Sequence, residues 1–178
     1  MNFQDISRKD LIRIISSGGL VVMPTDTVYG LFTKPSSVEG IKKIYDIKGR
    51  KKNNPLILLI PEISSAWDYA QRTPLNESYA SENWPGPVTL IMNSLEGGTI
   101  GLRVPDFSPL IDIMKETGPL CSTSANISGD LAPKNFSEVS SKIIEASDAA
   151  LDTSLELTGI PSEIIDISSG EAKVLRNA

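Results

Sequence analysis

The longest apolar stretches of the chain, residues 56–60 and 88–92, are the length of single strands and far short of a bilayer span. With Pro, Gly and polar clusters between such runs, the chain is restricted to short buried strands and amphipathic helices. Ser7, Asp10 and the apolar Leu11, Ile12, Ile14 and Ile15 predict a capped helix closing at Gly18-Gly19. Residues 20–23 predict a strand stopped by Pro24, and residues 28–32 resume extended structure after Thr25-Asp26-Thr27. Val38, Ile41, Ile44 and Ile47 recur at helical spacing with Gly49 just beyond, which puts Lys48 and Arg50 at the C-terminal edge of that helix. A strand over 56–60, helical segments near 65–71 and 75–83, and the Trp84-Pro85-Gly86-Pro87 turn lead into a strand over 88–92. A strand over 100–104 precedes a helix with Ser108 as N-cap, Pro109 at its first position and Gly118 as C-cap. Residues 120–122 read as extended, 137–146 as helical, and 163–167 with 173–176 as a hairpin around Ser168-Ser169-Gly170-Glu171. Helices and strands interleave without a linker or repeat. The expected fold is therefore α/β, a single domain over residues 1–178 built as a twisted mixed sheet flanked by helices.

Composition narrows the chemistry. The sequence has no histidine, which removes the commonest general base and the commonest metal ligand together. Its single cysteine, Cys121, rules out an internal disulfide and reads as a packed residue. The N-terminus lacks the basic start and apolar core of a secretory signal, so the expected address is the cytoplasm, with no membrane partner. A net charge of −5 opposes nonspecific attraction to nucleic acid, so any anion site must be local. Lys42, Lys43, Lys48, Arg50, Lys51 and Lys52 supply a local concentration of cations in an otherwise acidic chain.

Four polar clusters follow or interrupt the predicted strands: Pro24-Thr25-Asp26-Thr27, residues 48–54, Leu102-Arg103-Val104-Pro105 and residues 122–126. No Walker A loop or dinucleotide fingerprint is present. The residues alone reach as far as an anion site lined by hydroxyls.

The clusters occur in GGLVVMPTDTVYGL (18–31), IYDIKGRKKNNPLILLI (44–60), WPGPVTLI (84–91), GLRVP (101–105), STSANISG (122–129) and PSEIIDIS with a final VLR. In order and spacing this set resembles the YrdC/TsaC family of threonylcarbamoyl-adenylate synthases, over nearly the whole chain, in its short form. The resemblance implies a YrdC-like (RibB-like) fold and a nucleotidyltransferase that converts L-threonine, bicarbonate and ATP, with Mg2+, into threonylcarbamoyl-AMP and pyrophosphate. Its product would pass to the transferase machinery of tRNA threonylcarbamoyladenosine synthesis, with weak tRNA binding as a further implied contact. By the same resemblance Lys48 and Arg50 carry catalysis, facing triphosphate and carbamate. Arg50, Asn54, Thr99, Asn126, Lys134 and Arg176 would contact ATP, and Thr27, Arg103, Ser124 and Ser162 would hold threonine. No protein metal ligands are implied. The sequence departs from the family at Leu59, Lys134 and the Pro-Ser-Glu around Ser162, all of which bear on the shape of the site.

Such a reaction brings a carbamate and a carboxylate against a triphosphate, and unit charges near 4 Å interact by about 4 kcal/mol even at intermediate dielectric. Arginine suits those planar anions through its two-pronged donor geometry, and positioning with electrostatics needs no histidine. Two other readings fit some of the residues: a nonenzymatic RNA-binding module, opposed by the acidic net charge, and a carbamoyl-adenylate-forming domain serving a different acceptor.

Overall fold

Residues 6–51, 54–153, 155 and 157–178 are described in the computed structural model; Lys52 of the basic run and the first five residues lie outside them. Helix α1 is Arg8–Ser16, capped by Ser7 Oγ, which accepts the Asp10 N–H at 3.1 Å. Strands β1 (Val21–Pro24) and β2 (Tyr29–Thr33) flank the Thr-Asp-Thr turn. Helix α2 runs Val38–Lys48 and ends at Gly49, whose φ of 59° is the left-handed conformation that glycine adopts without penalty. Strand β3 is Ile57–Leu59, helix α3 is Pro74–Asn83, and β4 (Val88–Asn93) and β5 (Thr99–Arg103) form an antiparallel pair. Helix α4 (Ser108–Thr117), β6 (Leu120–Ser124), α5 (Ser141–Ala146), β7 (Ala149–Ala150), β8 (Glu163–Asp166) and β9 (Lys173–Arg176) complete the chain.

Three local expectations change. The segment near 65–71 is a 3-10 turn, Ile63–Asp68, with no side-chain cap at Glu62, and the two serines in it are weak helix formers. The stretch 137–146 divides into a 3-10 turn, Phe136–Glu138, and the short α5. The N-cap of α4 is Phe107, whose carbonyl accepts the Leu110 and Ile111 N–H groups, so Ser108 and Pro109 lie one position further into the first turn. Strand β7 is absent from the sequence reading because two residues are too few to show a period.

Among the described residues the strands form one mixed sheet in the order β7-β1-β2-β6-β3-β5-β4-β8-β9. Side chains alternate between its faces. Leu58, Leu90, Leu102 and Ile165 share one face and bury against α3 and the Ile63–Asp68 turn. Val22 and Leu31 continue toward α2 and α5. On the opposite face Val21, Met23 and Phe32 bury under α1 and α4. Gly30 on that face has no room for a side chain, since a Cβ there would fall 2.6 Å from Phe32 Cζ. Past Leu59 the same face runs out from under these two helices, and its residues on β3, β4, β5, β6 and β8 line a concavity.

Neighbouring residues of β4 therefore serve different ends. Leu90→Ala, which empties a fully buried core position, is expected to lower unfolding free energy by about 2–5 kcal/mol. Ile91→Ala, on the concave face, is expected to cost less than about half as much. Urea denaturation of the two variants checks the assignment of faces, and equal losses would contradict it.

Candidate active site

The concavity has a volume of about 340 Å³, within the range of small-molecule sites. Its floor follows the two-residue period of the strands: Ser122 and Ser124 on β6, Ile57 and Leu59 on β3, Thr99, Gly101 and Arg103 on β5, Thr89 and Ile91 on β4, and Ile164 on β8. Gly101 keeps the middle shallow, because a Cβ there would meet Ile57 Cγ2 at 3.3 Å and Thr89 Cγ2 at 3.5 Å. The rim comes from Thr25 and Thr27 of the β1–β2 turn, Arg50 and residues 54–56 after α2, Pro161 and Ser162 before β8, and Leu175 and Arg176 of β9.

Three arginines converge here, Arg50 and Arg176 held by neutral acceptors and Arg103 by two neutral acceptors and one carboxylate. Arg50 donates through Nε to the Asn54 carbonyl at 2.9 Å and through Nη2 to the Pro55 carbonyl at 2.9 Å, with a longer contact from Nη1 to Thr123 Oγ1 at 3.4 Å. Tyr45 donates to the same Asn54 carbonyl at 3.1 Å, so helix α2 and its following loop are tied together. Arg176 donates to the Ser162 carbonyl at 2.6 Å from Nη2 and 3.0 Å from Nε, and Ser162 Oγ lies 2.9 Å from Thr89 Oγ1. Arg103 is buried and donates to the Gly86 carbonyl at 2.9 Å, to Thr27 Oγ1 at 3.2 Å and to Asp26 at 2.6 Å.

The proton affinities reflect this crowding. Burial lowers all three guanidinium pKa values. For Arg176 the charges of Arg103 and Arg50 lower it further, whereas Tyr45 opposes the shift at Arg50 and Asp26 opposes it at Arg103. A cavity whose cations repel one another gains when an anion enters. Cys121, by contrast, packs against the core on the other face, and burial pushes its thiol up to about 11, an unreactive state.

Lys48 stands one layer behind the cavity. Its ammonium, 2% exposed as a residue, donates to the carbonyls of Ser124 and Asn126 and, at 3.1 Å, to Asn126 Oδ1. Its own carbonyl accepts the Ser128 N–H at 3.1 Å. Asn126 is engaged at both ends of its amide: Oδ1 also accepts Ser124 Oγ–H at 2.6 Å, and Nδ2 donates to the Asp130 carbonyl at 2.6 Å. Lys134 likewise lies off the cavity lining, its stem against Gly159, whose N–H donates to the Thr27 carbonyl at 3.0 Å. Of the residues singled out from the sequence, Thr27, Arg50, Asn54, Thr99, Arg103, Ser124, Ser162 and Arg176 are brought to the cavity, and Lys48, Asn126 and Lys134 lie behind it. Sequence reasoning missed Asp26 and Thr89. Thr89 could have been found from its parity with Ile91, and Asp26 as the lone carboxylate of a hydroxyl-rich turn.

The Sua5_yciO_yrdC family model, described as "Telomere recombination", matches residues 13–178. The chain belongs to this family. It is 31% identical over 173 residues to the threonylcarbamoyl-AMP synthase of Pyrococcus abyssi, a match spanning 91% of this chain and 51% of that relative. A Bacillus subtilis threonylcarbamoyl-AMP synthase is 32% identical over 138 residues, 71% of this chain and 40% of the relative. The chain thus spans about half the length of the first of these relatives and less of the second. P. abyssi Sua5 solved in complex with L-threonine superposes with a TM-score of 0.87 at 28% identity, covering 97% of this chain and 55% of that one. Among the described residues no helix is long and apolar enough to cross a membrane.

Burial, with Arg50 nearby adding to it, lowers the Lys48 pKa from 10.5 to about 8. A lysine whose pKa falls on folding releases its proton earlier in the folded than in the unfolded chain. Between about pH 8 and 10.5 the unfolded chain then binds more protons, and this group makes stability rise with pH. The neutral amine also keeps only two N–H donors for three oxygens. The amide resonances of residues 124–128 are expected to titrate with a midpoint near pH 8, and to lose that step in Lys48→Met. A flat response in the wild type would show that the ammonium keeps its proton.

Proposed function

We propose that this chain is the adenylate-forming unit of threonylcarbamoyl-AMP synthesis: L-threonine, bicarbonate and ATP combine to give threonylcarbamoyl-AMP and pyrophosphate. The observation that carries the reading is the convergence of Arg50, Arg103 and Arg176 with Thr27, Ser124 and Ser162 on one concavity. The names of the relatives, and the threonine bound to P. abyssi Sua5, support the choice of substrates.

On this reading the threonine carboxylate docks on Arg103, with the hydroxyls of Thr27, Ser124 and Ser162 around it. Its amine condenses with bicarbonate, losing water, to leave a carbamate. ATP lies along Arg50, Asn54, Thr99 and Arg176, with Asn126 and Lys134 supporting that side. The carbamate oxygen attacks the α-phosphorus, the bond to the β-phosphate oxygen breaks, and pyrophosphate departs. Arg50 spans the meeting point of the two anions, and Lys48 acts from behind, fixing the Ser124–Asn126 turn and adding positive potential. The protein's contribution is alignment and charge stabilisation in a partly dry cavity.

Mg2+, brought with ATP, would supply charge neutralisation on the phosphates. The described residues hold no cluster of three His, Cys, Asp or Glu side chains to cage it, and no step is assigned to a protein-held metal. We place the reaction in the cytoplasm, within one YrdC-like domain over residues 1–178. Its product, a reactive mixed anhydride, goes to a transferase that modifies tRNA, with direct tRNA contact weak at most.

Two outcomes follow. With ATP, Mg2+ and bicarbonate, pyrophosphate release is expected to depend on L-threonine, and mass analysis of the nucleotide product should show threonylcarbamoyl-AMP. Equal release without threonine would show that pyrophosphate leaves without an amino-acid carbamate and would overturn the reading. Arg50→Lys keeps the charge but loses the fork that bridges the Asn54 and Pro55 carbonyls. Turnover at saturating substrates should fall about tenfold or more, with Arg50→Ala about 100-fold down. Near-normal steady-state rates in Arg50→Ala would remove Arg50 from the reaction.

A further inference from the structure

The turn between β1 and β2 is closed by its own hydrogen bonds. Thr25 Oγ1 accepts the N–H groups of Thr27 at 3.0 Å and Val28 at 3.1 Å, and donates to the Val28 carbonyl at 2.8 Å. A loop so closed presents Asp26 and Thr27 at fixed positions. Both side chains reach Arg103 on β5, although β6 and β3 separate β2 from β5 in the sheet.

Arg103 has five N–H groups. Nε is taken by the Gly86 carbonyl, one N–H of Nη1 by Thr27 Oγ1 and one N–H of Nη2 by Asp26 Oδ1. Among the described residues this leaves one N–H on each terminal nitrogen, the number a single carboxylate accepts from a guanidinium fork. The Asp26 side chain is 13% exposed against 4% for Arg103, and Asp26 is not among the residues lining the cavity. Its carboxylate therefore acts on a ligand through Arg103.

We infer that Asp26 is a positioning residue: it fixes the rotation of the Arg103 guanidinium so that the two remaining N–H groups meet the carboxylate of the amino-acid substrate. The inference rests on the function proposed above and adds to it the group that makes Arg103 selective. Without Asp26 the guanidinium keeps its charge and its bonds to Gly86 and Thr27 but loses its shortest, charge-assisted tether, leaving among the described residues only the 3.2 Å bond to Thr27 to resist a turn about the bond from Nε. Asparagine at the same position keeps an acceptor for Nη2 and so keeps most of the orientation.

The test compares Asp26→Ala and Asp26→Asn with the wild type. In Asp26→Ala the KM for L-threonine should rise at least about tenfold, the size of loss expected when a charge-assisted pair is misaligned, with the KM for ATP changed by less than about twofold. In Asp26→Asn the threonine KM should return to within about threefold of the wild type. A threonine KM unchanged in Asp26→Ala overturns the inference. So does a collapse of kcat at unchanged KM in both variants, which would make the carboxylate a proton acceptor. Guanidinium NMR gives a second measurement that does not depend on the substrate. Slow rotation of the Arg103 terminal nitrogens in the wild type should become fast in Asp26→Ala and remain slow in Asp26→Asn. If the wild type turns over no threonine, the functional reading fails, and the guanidinium signals still decide whether Asp26 holds Arg103. Should Asp26→Ala not fold, Asp26→Asn decides, since slow rotation and a near-normal threonine KM support the inference and their loss overturns it.

Discussion

A pleated strand has two faces, and in this protein one must be a core while the other stays open to a ligand. β4 and β5 carry both duties in five or six residues each, Leu90 and Leu102 packing inward while Thr89, Ile91, Gly101 and Arg103 look the other way. A one-residue slip in either register would put the arginine into the core and a leucine into the cavity. The antiparallel pairing of Leu90 with Leu102 and the parallel pairing of Leu58 with Leu102 guard against that, and they therefore guard the site as much as the fold.

The cations follow from the same economy. Taking a guanidinium or ammonium out of water is costly unless its donors are satisfied. Here most of the satisfaction comes from backbone carbonyls: Ser124 and Asn126 for Lys48, Asn54 and Pro55 for Arg50, Ser162 for Arg176 and Gly86 for Arg103. Carbonyls satisfy hydrogen-bond donors without cancelling charge. Among the described residues only Arg103 of this cluster has a carboxylate partner, so the concavity keeps a positive field inside an acidic protein.

Much of this was legible in the sequence, and the reasons differ by residue. Arg103 stands out only through the family resemblance of Leu102-Arg103-Val104-Pro105, since a lone arginine on a strand more often pairs at the surface, whereas Gly49 marks the end of α2 from its residue type alone. The mixed sheet follows from alternation and turns, whereas the order of strands across it, set by contacts between distant segments, does not. Lys48 illustrates where reading stopped: a helical spacing places it at the end of α2, but not which oxygens its ammonium would find 76 and 78 residues away. Asp26 is similar, since its partner lies 77 residues along the chain and no local pattern announces the pair. The 3-10 turn at Ile63–Asp68 and the two-residue β7 were hidden for the opposite reason, being too short to carry a period.

Arg176 sits on β9, at the outer edge of the sheet, where among the described residues β8 is the one neighbouring strand. All four residues of β9 are exposed, and the pairing shifts register between Ile164 and Ile165, where Arg176 lies opposite. Sheet edges are where local opening is least costly, because only one ladder must be broken. One wall of the concavity therefore hangs on a single ladder of four residues, and its arginine depends for its place on the least secured pairing in the sheet.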